Sequence, residues 1–354
     1  MVQVTRPRPP CSRPAAHSTA THLALGFLAV LLLATVVHAA QSTAGADSLI
    51  ARGTRAINGG QAEQAERLFV DALRASKNDA RAEHGLATVA LMRGDADAAI
   101  ERARKALKRD PKNAVYQLTL ANGYGMKAMR GGATAMFYGG KYKQACEAAV
   151  ECDPKYVDAH MGLLQFYVMA PALLGGGRDK ANATAATIER LDRYSGHLAR
   201  AFLARQGKDL AAAEREYLAA ARVDSLDPKG WRMVAWFYAE QSRLRDAIRV
   251  GNRVLALKPD DLMTIYQVAK AHLLLGDDLK AAEAGFKRFI VAETPPTPPG
   301  RAPAHWRLGQ VYAKAGRLAD AKAEWERALK VDPKEKHAAA ALDSLRKAHP
   351  EVGR

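Results

Sequence analysis

Two cysteines, seven histidines and a run of three glycines are the residues beyond position 39 whose types could do chemistry. Cys146 and Cys152 lie six apart in KQACEAAVECDP. On a regular helix that separation is about 9 Å along the axis and about 240° around it, so a disulfide requires the helix to end early. No paired cysteines have zinc spacing, and two small packing residues is the simpler reading. Ser195-Gly196-His197 lacks the context of a nucleophile elbow, and HExxH is absent. GGGRDK (175–180) opens a helix, so its amides could face an anion at the helix N-terminus. The phosphate-loop pattern GxxxxGK[ST] is absent and no strand precedes it; a turn needing positive φ accounts for the glycines as well. No catalytic centre assembles from these residues, and no metal or cofactor is called for. The expectation is a binding protein rather than an enzyme.

The elements that position such residues follow from composition. The chain has 354 residues, 48% hydrophobic and only 6% aromatic. Alanine supplies much of the apolar content and β-branched runs are scarce, which favours helices packed closely on small residues over sheets. The class expected is all-α.

Arg6, Arg8 and Arg13 precede an apolar run from Leu23 to Val37, followed by VHAAQ. This reads as an export signal over residues 1–39, cleaved after Ala39, with a short linker at 40–45. The run is short for a span of about 20 residues, and an uncleaved N-terminal anchor facing the periplasm is the alternative. Cys11 lies upstream of the run, so a lipoprotein is not expected. Loss of three arginines and no acid takes the formal net charge from +16 to +13. For an exported chain such charge suits an anionic lipid, cell-wall polymer or acidic protein rather than nucleic acid. Solvated helix faces such as ERARKALKRD (101–110) account for it equally.

The chain repeats itself with a period near 34 residues. Leu308, Gly309, Tyr312, Ala321, Trp325, Ala328 and Pro333 mark the unit at 302–335. Trp231, Val234, Ala235, Tyr238, Ala247, Gly251, Val254 and Pro259 mark that at 228–261. Residues 46–79 supply Gly53, Ala65, Phe69 and Ala72; residues 80–113 supply Leu86, Ala87, Ala99, Ala103, Ala106 and Pro111. Each unit reads as two helices joined by a polar turn and stopped by proline, with small residues where the backbones approach. His84, His160, His197, His272 and His305 occupy repeat positions, so packing explains them.

This pattern resembles the tetratricopeptide repeat family. The resemblance covers about 46–335 and implies a right-handed α-solenoid of about eight helical hairpins, with a capping helix in 336–354. Three places depart from it. Ala145 comes twelve residues late after GMKAMRGGATAMFYGGKYKQA, an insert near 125–140 that is expected to shorten the second helix of unit 3. VMAPALLGGGRDKA delays Ala181 by five, an insert near 170–177 in unit 4. The proline-rich linker 292–301 separates the solenoid at 46–291 from the final unit at 302–335 and is expected to break the stack. The segment FYVMAPALLGGGRDKA is also similar to one in uncharacterised exported bacterial tetratricopeptide proteins.

The resemblance also implies where a partner binds, namely a concave groove lined by the first helices. Carried over residue by residue, its lining is Leu118 and Asn122, Met161 and Gln165, Leu198 and Phe202, Arg232 and Trp236, Tyr266 and Lys270, and Trp306 and Gln310. Amides would hold a peptide backbone, apolar and aromatic side chains its side chains, and bases its acids. The family's carboxylate clamp needs Lys and Asn in the first unit, where Ile50 and Thr54 stand, so it is not carried over. The expectation is a non-catalytic scaffold or adaptor in the bacterial envelope. The alternative is a basic envelope protein that binds anionic polymer or lipid by charge.

Overall fold

The computed structural model describes residues 45–293 and 299–353. The export signal and its cleavage site lie outside the described residues. Eight helical hairpins follow one another among those residues: α1 (45–58) with α2 (Ala62–Ala75), α3 (Ala80–Met92) with α4 (Ala96–Arg109), α5 (Ala114–Ala128) with α6 (Gly132–Cys152), and α7 (Val157–Met169) with α8 (Arg178–Leu191). Then come α9 (Arg193–Gln206) with α10 (Leu210–Val223), α11 (Pro228–Glu240) with α12 (Leu244–Leu257), α13 (Leu262–Leu275) with α14 (Leu279–Val291), and α15 (Arg301–Lys314) with α16 (Leu318–Val331). α17 (Lys336–Ala348) and the short α18 (Pro350–Gly353) close the array. The described residues contain no strand, and no helix among them is long and apolar enough to cross a membrane.

The helix starts are written locally. Asp79, Asp95, Asn113, Asp192, Asp209, Asp227, Asp261 and Asp278 each accept a hydrogen bond from a backbone N–H of the first turn of the helix that follows. These bonds satisfy amides that a helix cannot pair itself, and each cap is worth about 1 kcal/mol. Small residues then let the backbones approach. A Cβ on Gly309 would overlap the Trp325 indole, whose Nε1 donates to the Trp306 carbonyl at 3.1 Å. Phe69, Phe237, Phe286 and Phe289 are fully buried between helices, each burial contributing about 2–3 kcal/mol.

Consecutive first helices touch one another: α3 on α5, α5 on α7, α7 on α9, α13 on α15 and α15 on α17. They therefore form the inner layer of the stack, and the second helices lie outside it. At the C-terminal end, Ala338, Leu342 and Leu345 of α17 complete the cluster begun by Phe286 and Phe289, so α17 is the cap.

Two expectations are corrected. The insert of unit 3 does not shorten its second helix. It lengthens it, because residues from Gly132 onward join α6, which reaches 21 residues. Alanines and a run without proline let the insert propagate the helix backwards from Tyr142. The proline-rich linker does not break the stack either. Phe286 and Phe289 of α14 share one hydrophobic cluster with Ala304 and Leu308 of α15. Arg301, the first residue of α15, secures the junction: its guanidinium donates to the carbonyls of Ile290, Ala292 and Glu293 at 3.1, 2.6 and 3.0 Å, where α14 ends.

Among the described residues the two cysteines carry no bridge. Cys146 is buried, with its thiol pushed up to about 12 by that burial, while Cys152 is half-buried. The histidines serve packing contacts: His197 meets Glu216 at 2.8 Å, His305 meets Glu324 at 2.6 Å, and His160 meets the Pro154 carbonyl at 2.9 Å. Among the described residues no cluster of His, Cys, Asp or Glu could hold a metal ion.

Candidate partner-binding groove

In units 3 to 5 the first helices bring five of the expected residues to one place. Leu118 and Asn122 of α5, Met161 and Gln165 of α7 and Phe202 of α9 line a cavity of about 450 Å³. Asn122 and Gln165 are exposed, so their amides are open to a ligand. Leu118, Met161 and Phe202 are half-buried and make an apolar floor between them. Leu198, one turn before Phe202, packs against the cluster beneath Trp231.

One lining residue comes from outside the first helices. Tyr142 of α6 reaches over from the second helix of unit 3, donates its hydroxyl to the Gly162 carbonyl at 3.2 Å, and approaches Gln165 Oε1 at 3.5 Å. Burial pushes its phenol above the usual range, so it is neutral and serves as a fixed polar edge. A second-helix tyrosine has no groove position in the repeat, so nothing in the repeat pattern pointed to it.

Unit 6 is different. Arg232 is paired with the buried Asp261 at 2.9 Å, and Asp261 also caps α13 through Thr264 N–H. The guanidinium itself stays at the surface, and its pairing holds the carboxylate of Asp261, the buried member of the pair. Trp236 stays open, 42% exposed, with the Arg205 guanidinium 4.8 Å from its ring and Glu240 on that guanidinium at 2.6 Å.

Units 7 and 8 depart furthest from expectation. Tyr266 is buried, its ring 5.4 Å from Phe286 and 5.1 Å from Phe289, so it is a core residue rather than a groove ring. Trp306 is half-buried, stacked at 4.6 Å on His337 of the cap, with the Arg307 guanidinium 4.1 Å from its centroid. Gln310 accepts from Arg307 at 3.1 Å. Lys270 is half-buried, and its ammonium sits below the usual lysine range, first because of burial and then because of Arg307. The physical reasons differ: α14 of its own hairpin buries Tyr266, Arg307 of α15 engages Gln310 and repels Lys270, and only Trp306 is covered by the cap.

The triple glycine is a turn. Gly175 has φ +88°, and Gly176 has no room for a Cβ beside the Ala170 carbonyl. The amides of Gly175, Gly176 and Gly177 donate to the carbonyls of Ala172, Pro171 and Tyr167 at 2.9, 3.2 and 2.8 Å. They are consumed within the loop, which excludes the anion reading for them.

Tetratricopeptide-repeat models match the chain at residues 56–123, 197–261 and 302–335. These stretches of the chain are tetratricopeptide repeats. Such repeats suggest a scaffold for protein–protein interaction. Among solved structures the chain is similar to a thermophilic tetratricopeptide-repeat protein of Thermus thermophilus, at 21% identity and TM-score 0.42 over 64% of this chain and 99% of that one. It is similar too to the Cut9–Hcn1 hetero-tetramer of the APC/C, at 16% and 0.46 over 85% and 55%. A third is a tetratricopeptide-repeat protein of Parabacteroides merdae, at 14% and 0.41 over 84% and 96%. No curated protein matches the sequence.

Proposed function

We propose that this protein is a non-catalytic envelope scaffold whose groove at units 3 to 5 holds an extended segment of a partner protein. The observation that carries the reading is the convergence of Leu118, Asn122, Met161, Gln165 and Phe202 on one open cavity. Two carboxamides offer both donors and acceptors at the height of a peptide backbone, and three apolar side chains between them accept a side chain. The cavity holds one ionisable acid, Asp158, and no histidine or thiol, which suits holding rather than reacting. The envelope location rests on the N-terminal segment alone.

The rival reading, adhesion to an anionic polymer or lipid by charge, rests on the net charge, +16 for the whole sequence and +13 without residues 1–39. Salt separates the two, because screening weakens exposed charge pairs far more than a buried apolar contact. The test is a crosslinked pull-down from the envelope fraction with the protein and with an Asn122→Ala, Gln165→Ala, Phe202→Ala variant. Discrete proteins captured by the first and lost by the second support the groove. Identical capture by both, released by moderate salt, supports charge instead.

A further inference from the structure

The insertions of units 3 and 4 meet in space. Met126 and Met129 at the end of α5, Met136 in the added turns of α6, Met169 closing α7, and Pro171 and Leu174 after it line a second cleft of about 560 Å³. It shares Asn122, Tyr142 and Gln165 with the groove cavity, so the two adjoin through the same polar residues. Met129 is 87% exposed, Met136 55% and Met169 66%, and Phe137 and Leu173 extend the apolar patch around them. Apolar side chains gathered in this way mark a surface that something else covers.

The charge around the cleft says what kind of partner fits. GMKAMRGGATAMFYGGK (125–141) carries three cations and no acid. Lys127 is paired with Asp97, but Arg130, Lys141, Arg178 and Lys180 have no carboxylate within 4 Å among the described residues. Arg130 follows Met129, Lys141 precedes Tyr142 and lies 4.0 Å from the Phe137 ring, and Lys180 holds the Gly175 carbonyl beside Leu174 at 3.1 Å. The carboxylates nearby are Asp97, which is paired with Lys127 and also feels the charge of Arg130; Asp179, next to Lys180; and Asp158, which lines the groove cavity.

We propose that the two insertions form a docking cleft for an acidic, amphipathic segment of a partner protein. Its apolar side chains rest on the methionines, and its carboxylates face Arg130, Lys141 and Lys180. The proposal rests on the groove reading and names the chemistry of the partner. A lone acyl chain fits less well, because it has no groups to match the exposed amides of Asn122 and Gln165 that bound the cleft. Methionine is unbranched and repacks readily, so the cleft takes Leu, Met or Phe in the same place and suits several related segments.

The test pans a random dodecapeptide phage library on the full-length chain and measures the enriched peptides by fluorescence anisotropy. Enriched sequences are expected to interleave Leu, Met or Phe with Asp or Glu, and Met136→Ser/Met169→Ser is expected to weaken them by about tenfold or more. Both substituted residues are exposed, and unchanged thermal melting confirms the fold. Equal binding by that variant overturns the cleft; if Phe202→Ala still abolishes binding, the groove reading survives alone. Peptides indifferent to both variants, or no enrichment at all, overturn both. Displacement of the peptides by oleate from the methionine cleft, with no acidic preference among them, overturns the proposal in favour of an acyl ligand.

Discussion

The inner face at units 3 to 5 and the inner face at units 7 and 8 carry the same repeat register, yet they end in opposite states. At units 3 to 5, Asn122, Gln165 and Phe202 border an open cavity. At units 7 and 8, Tyr266 is core, Trp306 lies under His337, and Gln310 answers Arg307. Register decides which side of a helix faces inward. Accessibility is decided by what packs there next: the α14 phenylalanines on Tyr266, Arg307 on Gln310 and His337 of the cap on Trp306 in one region, and the two insertions in the other.

The largest effect is expected at the covered end. Tyr266→Ala removes a buried ring from between Phe286 and Phe289 and is expected to cost about 3–5 kcal/mol, read as a fall in the urea midpoint. Phe202→Ala, half-buried at the groove, is expected to cost less than half as much while abolishing partner capture. Comparable stability losses with comparable capture would erase the distinction between the two faces.

Asp261→Ala leaves the cap of α13 unmade and Arg232 without its partner, and is expected to destabilise by about 3 kcal/mol. Arg232→Ala is expected to do so as well without changing capture, which would show that this arginine is structural. Selective loss of capture in a stable Arg232→Ala protein would return it to the groove.

Gly309→Ala is expected to cost about 1–3 kcal/mol, since the Trp325 indole must shift to admit the methyl group. The matching change on the open side, Gly139→Ala, meets nothing within 4 Å and is expected to be neutral or slightly stabilising.

The smallest effect concerns Lys270. Burial, and then Arg307, hold its ammonium below the usual 10.5, so the unfolded chain binds the extra proton more readily than the folded one. Stability is expected to rise with pH between the lowered value and 10.5, and Lys270→Met to gain a few tenths of a kcal/mol at neutral pH. That gain should fade as pH approaches 10.5, which pH-dependent melting would show. A Lys270→Met protein less stable at neutral pH would mean that an unseen anion pairs with this lysine.

Much of the fold was legible because each repeat states its own rules. Asp caps, small residues such as Gly309 and bulky fillers such as Trp325 recur at fixed spacing and need only neighbouring helices to satisfy them. The insert in α6 was misread because a helix can grow backwards into a segment that contains glycines but no proline. The junction at Arg301 was missed because a side chain satisfying three carbonyls across a linker leaves no periodic trace. At the groove, Leu118, Asn122, Met161, Gln165 and Phe202 were named through the family resemblance, and the structure brings them to one cavity. Tyr142 was not named, since it reaches in from an insertion, and the covering of Trp306 depended on His337 of the cap, outside the repeat altogether.

The most direct test of the central contrast places a photo-crosslinking amino acid at Gln165 and, separately, at Gln310, in the protein expressed in its own cells. Discrete partner adducts from position 165 and none from position 310 are the predicted result. Adducts from 310 alone, or the same adducts from both, would contradict the assignment of the groove to units 3 to 5.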